Sequence, residues 1–483
     1  MMQSVLAGLE PAAVFSWFEK LCAIPHGSTH TRAISDFCVA FAEERGLRYR
    51  QDEANNVVIW KDASPNRKDR PAVILQGHLD MVCEKEPGCD LDFRTDGLQL
   101  AVDGDRIYAR GTTLGGDDGI AVAYALAVLD ADDLVHPPIE AVFTTDEEIG
   151  MLGAAAMDLS DLKGRPLWNI DSEEEGILTV SCAGGATCTI AMPYLTAPAS
   201  GQLYRLEVAG LTGGHSGVEI DKGRANANKV LGETLHLLRK AAKLRLANLQ
   251  GGAKDNAIPR EAQALFVASA ADEKLLQSVT AACAQEYRQR YAATEPSLRI
   301  TCQPDNEGVA EVWNQESSDQ AIRLLCEVPN GIQAMSRDIE GLVETSLNLG
   351  IVKVTGDTVE LTFSVRSSVR RDKECLTAVL HGIAESYGAV YFQKGDYPAW
   401  EYRRESPLRE LMIQVYEEQY GAKPQVVAIH AGLECGVLAD KLPGLDSVSF
   451  GPNLTEIHTT RESMSISSVA RVWRYLLTIL ERL

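Results

Sequence analysis

The sequence predicts an α/β domain with a mostly parallel sheet, interrupted by an α+β insertion with an antiparallel sheet. In residues 1–185, short apolar runs typical of buried strands alternate with helical patterns. In residues 186–398, strand-like segments alternate polar and apolar residues, as expected for an antiparallel sheet. In residues 399–483 the first style returns, so we expect one α/β domain in two parts with the insertion between them.

The individual elements follow from the same patterns. Helices are predicted at residues 11–22, 31–45, 120–129, 225–248, 271–291, 406–420 and 465–481. Strands are predicted at residues 72–76, 139–144, 167–170, 203–208 and 447–450. Strands that are separated by helices favour parallel pairing, because a parallel connection needs a crossover.

Composition excludes several classes of protein. The 483 residues suit two or three domains, and the net charge of −22 has the wrong sign for a nucleic-acid binder. The chain has no run of about 18 apolar residues, so we expect no membrane span. The 11 cysteines are scattered without a Cys-x-x-Cys pair, which argues against a disulfide framework and a thiolate zinc site. Reduced thiols indicate a cytoplasmic protein.

Acidic residues and histidines follow the predicted strands at their carboxyl ends. They are His78 and Asp80 after the first run, Glu147 and Glu148 after the second, Asp171 after the third and His458 after the fourth. Ligands of open α/β sheets bind at this edge, so the convergence indicates a functional site there. His78 taken alone would as readily be a buried structural histidine.

A further acidic pair, Asp117 and Asp118, opens the helix predicted from Ile120. Taken alone, the pair would be read as helix-capping carboxylates. Beside the other clusters, we assign it to the same site.

The residue types in this cluster suit a metal centre. Two histidines and several carboxylates without a thiolate fit zinc, cobalt or manganese. Two ions need a bridging carboxylate and a shared water, and a glutamate that is not a ligand can take the proton of that water. The neighbours Glu147 and Glu148 can divide these tasks. Asp80 lies two residues after His78, where it can hydrogen-bond the imidazole and fix its tautomer.

The motifs resemble those of the metallopeptidase family of aminoacylases, carnosinases, glutamate carboxypeptidases and aminoacyl-histidine dipeptidases. Residues 77–82 and 144–150 look like the two signatures of that family. Residues 111–120, 169–173 and 430–436 are similar to its aminoacyl-histidine dipeptidase branch in particular. The resemblance spans nearly the whole chain, with the motifs in the expected order.

The resemblance implies a set of metal ligands. It implies two divalent metal ions, with zinc preferred and cobalt or manganese as alternatives. His78 and Asp171 would hold one ion, Glu148 and His458 the other, and Asp117 would bridge both.

The resemblance also implies roles for the residues around the ligands. Glu147 would act as general base and later as general acid, while Asp80 would orient His78. A cis peptide is implied between Asp117 and Asp118. Here the motif reads Gly-Asp-Asp-Gly, where the family often has Asp-Asp-Lys-Gly or Ala-Asp-Asn-Gly. That departure leaves Asp118 as an alternative bridge, although Asp117 is favoured.

The insertion resembles the lid domain of the family. In the motif at residues 213–217, His215 would stabilise the oxyanion of the tetrahedral intermediate, unless it is a surface histidine on a glycine-rich turn. Asn256 would line the substrate cleft. Arg366 and the backbone of Gly432 are candidates for binding the dipeptide carboxylate. The arginines at 370 and 371 are alternatives, and all three could instead be a solvated strand end.

The implied activity is hydrolysis of dipeptides with a free amino terminus, including Xaa-His substrates that resemble carnosine. An N-acyl-amino-acid deacylase or a carboxypeptidase of the same family would use the same metal residues, so it stays an alternative. A non-catalytic metal-binding protein is a third reading, against which Glu147 argues, since a pure binder does not need a base. We expect small dipeptides as partners, with no nucleic acid or membrane, and a homodimer is left open.

Overall fold

The structure is a computed structural model that describes residues 4–306 and 308–483. The α-helices of the described residues are α1 Ala12–Cys22, α2 Arg32–Glu44, α3 Gly116–Asp130, α4 Leu152–Ala156, α5 Ala227–Ala241, α6 Glu273–Arg290, α7 Gln315–Glu327, α8 Arg370–Ser386, α9 Pro407–Tyr420, α10 Glu434–Lys441 and α11 Ile466–Arg482.

The β-strands of the same residues are named in chain order. They are β1 Arg48–Gln51, β2 Val57–Lys61, β3 Val73–His78, β4 Leu100–Asp103, β5 Arg106–Ala109, β6 Ile139–Thr144, β7 Pro166–Asn169, β8 Ile177–Cys182, β9 Gly184–Pro193, β10 Thr196–Pro198, β11 Gln202–Ala209, β12 Gly214–His215, β13 Leu244–Gly251, β14 Ala257–Ile258, β15 Ala262–Ala268, β16 Arg299–Pro304, β17 Glu311–Trp313, β18 Gly331–Met335, β19 Val343–Thr355, β20 Thr358–Ser367, β21 Val390–Tyr397, β22 Gln425–Ile429, β23 Asp446–Ser449, β24 Leu454–Thr455 and β25 Ser463–Ser465.

The chain forms two compact units. The first contains the residues up to Cys182, Tyr402–Ala428 and Leu433–Leu483, and the second contains Ala183–Glu401 and Ile429–Gly432. The sequence did not indicate that the short stretch at 429–432 belongs with the second unit. The assignment of residues 1–185 and 399–483 as catalytic domain, and of 186–398 as lid, stays a prediction.

The first unit is built on an eight-stranded sheet in the order β1-β2-β6-β3-β7-β23-β8-β22. Its central strands β6, β3, β7 and β23 run parallel, while β1, β2 and β8 pair antiparallel with their neighbours. All six residues of β3 are buried, which is why it reads as an almost continuous apolar run. The predicted α/β fold with a mostly parallel sheet is confirmed.

The parallel strands bring their carboxyl ends to one edge of this sheet. His78 is the last residue of β3, and it pairs with Thr144 at the end of β6. Asn169 at the end of β7 pairs with Ser449 at the end of β23. The segments that follow these strands therefore begin close together.

The second unit contains a nine-stranded sheet in the order β16-β11-β15-β13-β19-β20-β9-β21, with β18 added alongside β19. The strand pairs resolved in this sheet are antiparallel, as predicted for the insertion. Helices α5 to α8 contribute buried leucines to its hydrophobic core, including Leu235, Leu276, Leu325 and Leu380.

One predicted helix is wrong over its last third. The helix predicted at 225–248 ends at Ala241, and β13 starts at Leu244. Leu244 and Leu246 are both buried, and their strand pairs with β15 in the sheet core. Here the burial of alternate leucines against a neighbouring strand overrides helix propensity. Smaller differences occur at the ends of several other elements; for example, β3 continues to His78 and α3 begins at Gly116.

Two findings bear on the environment of the chain. None of the helices in the described ranges is long and apolar enough to cross a membrane. The 11 cysteines are all free, as the sequence predicts.

Candidate metal centre

His78 presents one ring nitrogen to a group of carboxylates. Its Nδ1 lies 2.9 Å from the backbone oxygen of Asp80, which can only accept a hydrogen bond. The proton of a neutral ring is therefore on Nδ1, and the lone pair is on Nε2. Nε2 lies 3.1 Å from Oδ1 of Asp117 and 3.8 Å from Oδ1 of Asp171. This tautomer suits a metal ligand.

Asp117 lies between two histidines. Its Oδ1 atom faces His78, and its Oδ2 atom lies 3.1 Å from Nε2 of His458. The same nitrogen of His458 lies 3.0 Å from Oε1 of Glu148. That buried oxygen does not meet hydrogen-bond geometry with any partner among the described residues, so it is free to bind a metal ion.

Asp118 occupies a second possible ligand position. The peptide between Asp117 and Asp118 is cis, as the resemblance implied. Oδ2 of Asp118 accepts a hydrogen bond of 3.1 Å from the backbone nitrogen of His78. Ligand atoms of His78, Asp118 and Asp171 lie within 4.8 Å of one another, and so do those of His78, Asp117 and Glu148.

Asp80 holds the turn that carries the two glutamates. Its Oδ1 accepts a 3.0 Å hydrogen bond from the backbone nitrogen of Glu147, and its Oδ2 accepts one of 3.3 Å from that of Glu148. Ser28 donates a further bond of 2.8 Å to Oδ2. The nearest approach of the Asp80 carboxylate to Nδ1 of His78 is 3.5 Å. Asp80 therefore contacts both His78 and the Glu147–Glu148 turn.

The protonation of the site reflects many carboxylates in a buried space. Burial raises the pKa of Asp118 and Asp171 well above the usual range, and it raises the pKa of Glu147 to about 8. Burial alone would lower the pKa of His78, but the carboxylates of Asp117 and Asp80 outweigh it and raise that pKa well above its usual value. Buried carboxylates at this density are costly unless cations offset their charge.

The donor set fits divalent metal ions on three counts. It offers imidazole nitrogens and carboxylate oxygens, which zinc, cobalt and manganese accept. The ligand atoms cluster within 4.8 Å. The buried Oε1 of Glu148 lacks a hydrogen-bond partner in the described chain.

A buried hydrogen-bonded chain behind the site was missed by sequence reasoning. Glu434 is fully buried, and its Oε2 accepts bonds from Gln76 Nε2 at 2.5 Å and from Thr144 Oγ1 at 2.6 Å. Oε1 of Gln76 accepts a 2.6 Å bond from Asn169, whose amide also lies 3.5 Å from Oδ2 of Asp171. The available signal was a polar residue inside an apolar strand, since such a residue needs a buried partner.

Glu462 is a second residue that sequence reasoning missed. Only 3% exposed, it binds the backbone that leads into Asp117. Nothing in its local sequence marks it, apart from its position four residues after His458.

His215 lies in the second unit, in a defined tautomer. Its Nδ1 accepts hydrogen bonds from the backbone nitrogens of Gly217 at 3.2 Å and Val218 at 3.3 Å. The proton of the neutral ring is therefore on Nε2, where it can be donated. Burial lowers the pKa of His215, with a contribution from Arg366, so the ring stays neutral.

Asn256 belongs to the same hairpin as His215. Strands β12 and β14 pair there, and the backbone oxygen of Asn256 accepts a 2.9 Å bond from the nitrogen of Ser216. The side chain of Asn256 is exposed. His215 and Asn256 line one groove of about 1460 Å³ on the second unit.

Arg366 is the buried member of the three candidate arginines. It is 8% exposed, whereas Arg370 and Arg371 are exposed. Nη1 of Arg366 donates a 2.9 Å bond to the hydroxyl of Tyr397, and its Nε atom has no partner in the described chain. A buried guanidinium with an open N–H is suited to an anionic ligand.

His430 lies near Arg366 and was not predicted as a site residue. Its Nε2 lies 2.7 Å from Oγ of Ser346, which pairs with Arg366 across β19 and β20. Nδ1 of His430 is buried without a partner among the described residues. Gly432 lies two residues further on, in the stretch that belongs to the second unit.

Comparison with known proteins identifies the family of the chain. The chain matches peptidase family M20/M25/M40 over residues 74–482. It is 37% identical over 483 residues to the cytosol non-specific dipeptidase of Escherichia coli strain K12, covering 99% of both chains.

The chain is also similar to solved structures. The chain superposes on the aminoacylhistidine dipeptidase of Vibrio alginolyticus with a TM-score of 0.95 and 35% identity, covering 100% of this chain and 98% of the other. An aminopeptidase of Bacillus cereus, at 16% identity and a TM-score of 0.57 over 98% of both chains, shares the fold.

The chain therefore belongs to peptidase family M20/M25/M40. The family resemblance stated from the motifs is confirmed, and so is the predicted class of enzyme, a metal-dependent peptide hydrolase.

Proposed function

We propose that this protein is a cytoplasmic dipeptidase that works with two divalent metal ions. One observation carries the proposal: the two carboxylate oxygens of Asp117 each lie 3.1 Å from Nε2 of a different histidine, His78 or His458. A carboxylate in that position can be shared between two ions.

The substrate class rests on the relatives. The Escherichia coli relative is named a cytosol non-specific dipeptidase, and the Vibrio alginolyticus relative is named an aminoacylhistidine dipeptidase. Each is matched along nearly its whole length. We therefore assign dipeptides with a free amino terminus, Xaa-His among them, as substrates. The name of the first relative also supports the cytoplasmic location.

The ligand set is the one that the family resemblance implies, and the distances around Asp117 support it. His78 and Asp171 would hold one ion, Glu148 and His458 would hold the other, and Asp117 would be shared. Zinc is our first choice, and cobalt and manganese are the alternatives. All three metals accept this donor set. When bound, such ions lower the pKa of a shared water and polarise the scissile carbonyl.

Glu147 carries the proton in this mechanism. The positive charge of bound metal ions would offset the burial that raises the pKa of Glu147 to about 8, so its carboxylate would be ionised. It would then take a proton from the attacking water and later donate it to the nitrogen of the leaving amine. The backbone nitrogen of Glu147 donates a 3.0 Å hydrogen bond to Asp80, which holds the turn that carries this base. Asp80 also contacts His78, which links the base to a ligand.

The second unit supplies groups for the substrate. His215 has its proton on Nε2 and donates it to the oxyanion that forms at the carbonyl. Arg366 binds the carboxylate of the dipeptide through its unpartnered Nε. Asn256, which lines the same groove as His215, and the backbone of Gly432 are assigned to the substrate site as well.

A substrate panel tests the proposal. The purified protein, loaded in turn with Zn²⁺, Co²⁺ and Mn²⁺, is assayed on Xaa-His dipeptides, other dipeptides, N-acetyl amino acids and peptides with a C-terminal glutamate. The proposal expects dipeptides to be cleaved with the highest kcat/KM and the activity to be lost to a chelator. Preferential cleavage of N-acetyl amino acids would assign a deacylase, and preference for longer peptides with C-terminal glutamate would assign a carboxypeptidase. Gel filtration at assay concentration tests for a homodimer.

A further inference from the structure

One buried carboxylate binds the backbone that leads into Asp117. Oε2 of Glu462 accepts hydrogen bonds from the backbone nitrogens of Leu114 at 2.8 Å and Gly115 at 3.2 Å. Oε1 accepts bonds from Gly116 at 2.8 Å and Asp117 at 3.4 Å. Four successive N–H groups therefore point at a single side chain from the other end of the sequence.

The two glycines before Asp117 make this approach possible. Gly115 has a φ of +65°, in the left-handed region that favours glycine. A Cβ atom at Gly116 would lie 2.5 Å from Cδ2 of Leu454 and 3.3 Å from Oε1 of Glu462. A side chain at Gly116 would clash with Leu454 and would crowd the carboxylate that holds the segment. The left-handed φ of Gly115 and the close packing around Gly116 together favour glycine at both positions.

The loop that contains Glu462 also contains a proposed metal ligand. Strands β24 and β25 pair antiparallel, and the turn between them contains both His458 and Glu462. The backbone nitrogen of Glu462 donates a 3.1 Å bond to the oxygen of Thr459, which makes the turn compact. One short loop thus contacts Asp117 twice. His458 lies beside its carboxylate, and Glu462 accepts a hydrogen bond from its backbone nitrogen.

We propose that Glu462 is a positioning residue of the metal centre. It holds the Asp117 carboxylate beside His458, so that two metal ions could share the two oxygens of Asp117. This inference rests on the proposed function of the site. The competing reading is a helix cap only, because Gly116 begins α3 and a carboxylate stabilises a helix N-terminus wherever it lies. A cap alone predicts lost stability with unchanged metal affinity.

A matched pair of variants separates these readings. Glu462→Gln keeps the shape of the side chain but replaces one acceptor oxygen with a donor that faces backbone N–H groups. Glu140→Gln is the control, since Glu140 is equally buried at 3% and accepts 2.9 Å bonds from the backbone nitrogens of Lys163 and Gly164. Glu140 lies near the amino end of β6, away from the edge that carries the metal centre.

Three measurements are made on the full-length variants. They are Zn²⁺ affinity by competition with a chelating indicator, kcat and KM on a dipeptide, and the melting temperature without metal. Glu462→Gln is expected to weaken at least one Zn²⁺ binding step about 10–100-fold. It should also lower kcat by a larger factor than it raises KM. Glu140→Gln is expected to lower the melting temperature alone.

The outcomes are distinguishable. Zn²⁺ affinity and kcat in Glu462→Gln that match those of Glu140→Gln would overturn the inference and leave the proposed function standing. Wild-type protein that binds fewer than two Zn²⁺ ions, or cleaves no dipeptide, would overturn both. If Glu462→Gln does not fold, Glu462→Asp keeps the charge with a shorter reach and should show an intermediate loss of Zn²⁺ affinity. Wild-type affinity in Glu462→Asp, or failure of both variants to fold, would contradict a positioning role.

Discussion

Nε2 of His458 lies 3.1 Å from Oδ2 of Asp117, although the two residues are 341 positions apart in the sequence. The other oxygen of the same carboxylate lies 3.1 Å from Nε2 of His78. Helix α3 and the turn between β24 and β25 bring these residues together at the carboxyl ends of the parallel strands. The position of this carboxylate between two histidines is the geometric reason for proposing two ions rather than one.

Replacement of Glu147 by glutamine should separate catalysis from metal binding. The amide cannot take a proton from water, so kcat should fall at least about 100-fold. Glu147 is not a proposed ligand, so the variant should bind two metal ions per chain, measured by elemental analysis after dialysis. Wild-type turnover by this variant would remove Glu147 from the mechanism. Loss of an ion would make it a ligand instead.

Replacement of His215 by alanine should slow the chemical step. Loss of one oxyanion donor lowers kcat about 100–1000-fold in comparable enzymes, while KM changes little. His381→Ala is the matched control, because His381 lies in the same unit with a side chain that is 57% exposed. Equal kcat values for the two variants on a dipeptide would assign His215 to the glycine-rich turn and not to catalysis.

Replacement of Arg366 by methionine should weaken the binding of dipeptides that have a free carboxylate. A hydrogen bond to a charged group contributes about 1.5–3 kcal/mol, so KM should rise about 10–100-fold. Dipeptide amides provide the internal control, since they lack the anion and should be cleaved with similar kcat/KM by both proteins. Arg371→Met should behave as wild type. Equal losses on free and amidated dipeptides would mean that Arg366 does not bind the carboxylate.

His430 should remain neutral throughout the pH range near 7. Burial and the nearby Arg366 lower its pKa to about 4. Because this value lies below the ordinary value for histidine of about 6.5, the unfolded chain binds the extra proton first. The stability that neutral His430 contributes is therefore present above about pH 6.5 and is lost as the pH falls towards 4.

Histidine side-chain NMR checks this prediction, with the His430 signal assigned by its absence from His430→Gln. The ring should titrate near pH 4 in the free protein, and a bound dipeptide analogue should raise its pKa, since a carboxylate favours the charged ring. Titration above pH 6 in the free protein would contradict the environment described for His430.

Much of the fold could be predicted from periodicity. Strand β6 was predicted with its observed bounds, and α1 differs from its prediction by one residue. Both are long or strongly apolar segments, where the pattern is clear. The error at 225–248 arose because the helical pattern was extended past Ala241, whereas Leu244 and Leu246 belong to a strand that pairs with β15. Pairing with a distant strand cannot be read from a local pattern.

Some residues of the candidate site could be predicted from the local sequence, and others could not. His78 and Glu148 were predicted because each lies at or within a few residues of the carboxyl end of an apolar run. Glu434 and Glu462 were missed because their partners lie hundreds of positions away, as in the bond from Gln76 to Glu434. A buried glutamate looks like a surface glutamate until the fold supplies its donors. His430, like Glu434, lies in the motif at residues 430–436 but was given no role, since its contact with Ser346 depends on the fold.

Anomalous diffraction at the zinc edge, from crystals grown with Zn²⁺ and a dipeptide analogue, tests the central claim most directly. The account predicts two peaks about 3.5–4 Å apart, each within bonding distance of one oxygen of Asp117. One peak should contact His78 and Asp171, and the other Glu148 and His458. A single peak, or an ion held by Asp118 with Asp117 left uncoordinated, would contradict it.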